Sequence, residues 1–84
     1  MDEIEQVVHH FILEEFLPGE DPEELTDRTP LITGGILDSI TTLKLVTFLE
    51  DRFGITLEAH EAGVEHLDSI GQIVKLVHEK KHAA

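Results

Sequence analysis

The chain has two serines, Ser39 and Ser69, and each stands in an Asp-Ser-Ile triplet at the start of a segment with helical periodicity. A serine in that place has two options. As the cap itself, its hydroxyl accepts a hydrogen bond from a free backbone N–H of the first turn. One position further in, it points outward and is open to a modifying enzyme. Ser69 has Gln72 three residues on, the spacing of a capping box, and so takes the structural task. Ser39 is followed by Thr41 and Thr42 instead, a pattern in which neither Asp38 nor Ser39 finds a capping-box partner. With Asp38 as cap, Ser39 becomes the first helical residue. Its hydroxyl is then unused, beside free N–H groups and a positive dipole end that suit an attached phosphate.

Other chemistries fit the residues less well. Ser39, Asp38 and six histidines supply the side chains of a hydrolytic triad, but there is no Gly-x-Ser-x-Gly elbow, and 84 residues offer no evident oxyanion hole. His9 and His10 are adjacent and cannot share a helix face, while His60 and His66 match no zinc spacing. His78 and His82 have i, i+4 spacing but lie in a charged terminal turn, which reads as solvated surface. The acidic stretch from Glu20 to Asp27 lacks the residue order of a calcium loop. Neither an enzyme nor a metal centre is expected.

The elements that must position Ser39 are helical. Ile4, Val7, Val8, Phe11, Ile12 and Phe16 recur at helical spacing, with Asp2, Glu3 and Glu5 in the first turn, and predict a helix that ends near Leu17 before Pro18-Gly19. Residues 17–38 form a connection of a length that is either disordered or functional. Leu25, Leu31, Ile32, Ile36 and Leu37 give it apolar anchors, and Asp21-Pro22-Glu23-Glu24 adds a helical turn capped by Asp21. A second helix runs from Asp38 to about Phe53 and stops at Gly54, with Leu49 and Phe53 as core residues. A short element near Glu61 to His66 precedes a last helix with Ile70, Ile73, Val74 and Val77 on one face and Lys80-Lys81 at its end. The expected fold is all-α: a small four-helix bundle of three main helices and one short one, with a long loop between the first two, as a single domain over residues 1–84.

In this setting the run Gly34-Gly35-Ile36-Leu37-Asp38-Ser39-Ile40 resembles the attachment motif of acyl and peptidyl carrier proteins. The likeness extends through Leu45-Val46, Leu49-Glu50, Phe53 and Gly54-Ile55 to nearly the whole chain. It implies that a phosphopantetheinyl transferase moves 4′-phosphopantetheine from coenzyme A to Ser39, that Asp38 takes part in recognition by the transferase, and that the protein presents thioester-bound cargo without catalysing a reaction. Acyl cargo for fatty acid, polyketide or related synthesis is the first expectation. The run from Gly35 to Ser39, followed by Leu45-Val46, also resembles D-alanyl carriers, so the alternative is an aminoacyl, D-alanyl or peptidyl carrier loaded by a dedicated adenylate-forming ligase. A helical interaction module with a coincidental triplet is the remaining reading.

Composition narrows the partners. The formal net charge is −12, and residues 1–27 hold ten carboxylates with no Lys or Arg. Such a chain repels nucleic acid and anionic lipid and is drawn to basic proteins. No apolar run reaches bilayer length, and the acidic N-terminus is unlike a targeting segment, which predicts a cytoplasmic monomer without membrane insertion. Projection of the second helix puts Thr42, Leu45, Val46, Leu49 and Phe53 on one face and Ile40, Lys44, Thr47 and Asp51 opposite. By resemblance, Ile40 plugs a partner pocket. Thr41 and Lys44 stand where fatty-acid carriers commonly have acids, which favours a dedicated ligase over general elongation enzymes, with downstream transferases or synthases as further partners.

Overall fold

A computed structural model describes residues 3–83 of the chain; Asp2, expected in the first helical turn, lies outside them. Four helices follow one another with no strand among the described residues: α1 (Glu3–Phe16), α2 (Ser39–Phe53), α3 (Val64–Leu67) and α4 (Ile70–Ala83). Single 3₁₀ turns at Pro22–Glu24 and Ala59–Glu61 punctuate the connections.

Each helix is placed by its apolar stripe. Ile4, Val8 and Ile12 of α1, Leu45, Val46 and Leu49 of α2, Leu67 of α3, and Ile70, Ile73, Leu76 and Val77 of α4 close one core. Spacing of three and four residues puts each set on one side of its helix, and removal of that side from water drives the packing. Phe11 and Phe16 flank this core and, like Val7, are half-buried: the Phe11 ring stacks on Phe48 at 3.8 Å between centroids and meets Phe16 edge-on at 5.6 Å. Phe53 differs from its expected place. It is half-buried at the end of α2, where the Arg52 and Lys81 side chains lie 5.6 Å and 5.9 Å from its ring centroid. The last turn of α2 has reached the rim of the bundle, so one side of the ring meets cations rather than core.

The long connection is ordered by three devices. Leu25, Leu31 and Leu37 are buried in the core, as the anchors predict. The turn at Pro22–Glu24 is capped by the Asp21 carboxylate, which accepts from the Glu23 N–H, and is clasped to α1 by His9 Nε2, within 3.0 Å of the Pro22 carbonyl oxygen and 2.9 Å of that of Leu25. Finally, the Leu31 carbonyl accepts from both Ile36 and Leu37 N–H groups, which folds residues 31–37 into a tight knot. Gly34 permits it, because a Cβ there would run into the Pro30 carbonyl oxygen, and Gly35 has φ +83°.

Candidate functional site

The knot delivers the chain to Asp38, whose backbone is extended and whose carboxylate accepts from the Thr41 N–H at 2.8 Å. The Asp38 N–H in turn donates to the Thr41 hydroxyl at 2.7 Å. A reciprocal capping box is therefore present, which corrects the sequence expectation that Asp38 has none. The reason is chemical: a threonine hydroxyl at the third helical position accepts a hydrogen bond as the usual Glu or Gln does. The hydrogen bonds from the Thr41 N–H and hydroxyl hold the Asp38 carboxyl below its ordinary pKa of 3.8.

Ser39 is then the first residue of α2, as expected. It is exposed, and its hydroxyl makes no hydrogen bond to any described residue. The second triplet divides its labour the other way. Asp68 turns its carboxylate onto Ile32 and Thr33, and Ser69 becomes the acceptor of the Gln72 N–H at 3.2 Å. Gln72 does not complete the box as predicted; its amide donates to the Glu65 carbonyl at 3.2 Å.

Around Ser39 the surface is apolar. Ile40 is 77% exposed, Leu43 65% and Val64 47%, the three large exposed apolar side chains of the described residues. Ile40, Lys44, Thr47 and Asp51 all face solvent, as the helical projection predicts, while Thr41 is half-buried with its hydroxyl engaged in the cap. Lys44 is not a free cation: its ammonium lies 3.3 Å from the Glu15 carboxylate of α1. Leu43 and Val64 were not singled out by the sequence reading. The signal was available in α2, where Leu43 falls outside the core stripe, four residues after Ser39.

Beside Ser39 an open groove of about 690 Å³ runs between α2 and the segment from Leu57 to Val64. Its far wall is fixed by two carboxylates. Glu50 Oε2 accepts from the Leu57 N–H at 2.9 Å, and Glu61 pairs with Lys80 of α4 at 2.6 Å. The Lys80 hydrogen bond, helped by the Glu58 N–H, lowers the Glu61 pKa. An exposed serine hydroxyl without a partner, on a rigid helix start and at the mouth of a groove, fits a phosphodiester-linked arm.

Residues 12–77 match the family model described as a phosphopantetheine attachment site. Among similar proteins is a D-alanyl carrier protein of Streptococcus suis (strain 98HAH33), 35% identical over 81 residues, which cover 96% of this chain and 99% of that one. Another is the D-alanyl carrier protein of Streptococcus pyogenes serotype M5 (strain Manfredo), 36% identical over 64 residues, 76% of this chain and 80% of the other. Among solved structures, a chain in a crystal structure described as that of an FAD-dependent dehydrogenase superposes with a TM-score of 0.75 at 30% identity, over 83% of this chain and 97% of that chain.

Proposed function

We propose that this chain, which belongs to the family built around a phosphopantetheine attachment site, bears that group on Ser39 and holds D-alanine or another small aminoacyl group on it. Proteins of this type are carriers and not catalysts, and their cofactor is 4′-phosphopantetheine. The observation that carries the attachment residue is the exposed, unpartnered Ser39 hydroxyl after a capping Asp38. The cargo reading is supported by relatives named D-alanyl carrier proteins, which favour the aminoacyl alternative over the fatty-acid or polyketide expectation.

Attachment joins Ser39 Oγ to phosphorus, breaks the pyrophosphate link of coenzyme A and releases 3′,5′-ADP, with the serine proton passing to a base of the transferase. When bound, the group supplies a tethered thiol that holds cargo as a thioester at high local concentration for each partner. The chain's own contribution is placement. Asp38 fixes the helix start that presents Ser39 to the transferase. Ile40, Leu43 and Val64 offer an apolar surface, with Thr41, Thr47 and Asp51 beside it, and Lys44 is already neutralised by Glu15. Such a surface suits an adenylate-forming ligase with an apolar socket, and a downstream transferase that uses the same face. No described helix is long and apolar enough to cross a membrane; the reading includes a cytoplasmic protein supplied with coenzyme A and ATP.

The test is to modify the protein with a phosphopantetheinyl transferase and offer it either D-alanine, ATP and a D-alanine-activating ligase, or malonyl-coenzyme A and a malonyl transferase. Intact mass should show one alanyl group gained on the first route. Efficient malonyl loading without alanyl loading would move the protein to the acyl class.

A further inference from the structure

We infer that the groove between α1 and α2, on the side of α2 away from Ser39, is a docking face for an amphipathic helix of a protein partner, with a basic flank toward Glu14 and an acidic flank toward Arg52. The two helices meet antiparallel along this side. Glu15 pairs with Lys44 at 3.3 Å, and one turn further along each helix Phe11 stacks on Phe48 at 3.8 Å between centroids. The next step of the same register brings Val7 and Arg52 to the lining of one open groove of about 740 Å³, as large as the groove beside Ser39. Phe48 follows Ser39 by about two and a half turns of α2, which sets the two grooves on opposite sides of that helix. A helix seated on α1 and α2 therefore leaves Ser39 clear.

The floor is apolar and the rims carry opposite charges. Val7, Phe11 and Phe48 are half-buried, with part of their surface turned to the groove. Aromatic side chains grouped with an arginine have the composition of an interface centre, where a few such residues carry most of the binding energy. On the rims, Glu15 and Lys44 neutralise each other. Glu14 remains on α1, with only the exposed His10 ring beside it at 4.0 Å. Arg52 remains on α2, 5.6 Å from the centroid of the Phe53 ring and within ion-pair distance of no carboxylate among the described residues. A helix laid in the groove meets α1 along one flank and α2 along the other. Its apolar stripe is therefore best bordered by Lys or Arg on the first side and by Asp or Glu on the second. The charge of the whole chain selects among occupants: at −12 it repels a second copy and an anionic lipid, and it draws in a partner of net positive charge.

The probe is a synthetic helical peptide with a leucine stripe, lysines along one flank and glutamates along the other, titrated into the protein and followed by NMR. Balanced flanks remove the general attraction of an acidic chain for a basic ligand, and a scrambled peptide of the same composition is the control. Shifts should centre on Val7, Phe11 and Phe48 and spare Ile40, Leu43 and Val64. Glu14 and Arg52 are exposed, so reversal of their charges leaves the core intact. Glu14→Lys and Arg52→Glu should each weaken binding about two- to fivefold, the range of an exposed ion pair. The double variant keeps the net charge and exchanges the two rims, and a helix lying the other way round meets them with its flanks exchanged. Affinity should return to about the wild-type value, and a spin label on the peptide N-terminus should broaden signals at opposite ends of the groove in the two proteins. Equal affinity in all four proteins, equal binding of the scrambled peptide, or shifts centred on Ile40, Leu43 and Val64 overturns the inference. So do concentration-dependent shifts at Phe11 and Phe48 without peptide, which would make a second copy the occupant. None of these readouts needs an arm on Ser39, so the docking face and the carrier reading stand or fall separately.

Discussion

The Asp68 carboxylate holds Thr33 twice, accepting from its backbone N–H at 2.8 Å and from its hydroxyl at 2.9 Å. It also accepts from the Ile32 N–H at 2.8 Å, and the Asp68 carbonyl accepts from the Leu31 N–H at 2.6 Å. Three successive residues of the loop that leads to Ser39 are therefore sewn to the turn between α3 and α4. Replacement Asp68→Ala should lower the melting temperature and speed amide exchange at Leu31, Ile32 and Thr33 above all other sites. Unchanged protection at those amides would show that the loop is held by its leucines alone.

The same anchor gives the protein an acid limit. Backbone and hydroxyl hydrogen bonds from Thr33 lower the Asp68 pKa, as Thr41 does for Asp38 and Lys80 for Glu61. Carboxyls depressed in the folded state contribute stability that is complete above their ordinary values, 3.8 for Asp and 4.5 for Glu, and that is lost as pH falls through the lower folded values. Urea midpoints measured against pH should show this contribution constant above about pH 5 and declining below pH 4. In Asp68→Asn part of that decline should vanish; an unaltered acid limb would remove Asp68 from the explanation.

The two Asp-Ser-Ile triplets should separate cleanly in a modification assay. Ser39→Ala should lose the phosphopantetheinyl mass gain and retain its stability. Ser69→Ala should keep the gain and lose about 1 kcal/mol through its cap. Modification of the Ser39→Ala protein at Ser69 would contradict the assignment.

Leu49 and Phe53 lie four residues apart on α2 but differ in burial, Leu49 being fully enclosed and Phe53 half-open. Chemical denaturation should show Leu49→Ala costing about 2–5 kcal/mol and Phe53→Ala only about 1–2 kcal/mol, the ring having less surface to lose from the core. A larger loss at Phe53 would mean that its cation contacts outweigh the exposed area.

What could be read from the chain was local. Apolar spacing located α1, α2 and α4, Pro18-Gly19 and Gly54 marked where helices stop, and Asp21-Pro22 announced its own turn, because each depends on neighbours within a few residues. Partnerships across the chain were invisible. Nothing near Asp68 points to Thr33, 35 residues earlier, and nothing near His9 points to its partners, which are backbone carbonyls of a distant loop. Lys44 was assigned to a partner surface because helical projection shows which way a residue faces and not that Glu15 of another helix awaits it. The groove escaped for the same reason: its far wall, from Leu57 to Val64, meets α2 only in the folded chain.

The dependence of Leu31, Ile32 and Thr33 on Asp68 also sets an order of events during synthesis. When Ser39 is joined to the growing chain, the residue that anchors its loop is still some thirty positions from being made, and at roughly 5–20 residues per second the chain takes seconds to reach it. Through that interval Ser39 follows a loop without its carboxylate anchor and begins a helix without α4 to pack on. On the proposed reading of Ser39 as the attachment residue, a transferase that reads shape would meet its folded substrate only after Asp68 and α4 have followed, which ties the timing of modification to the distance between the two triplets.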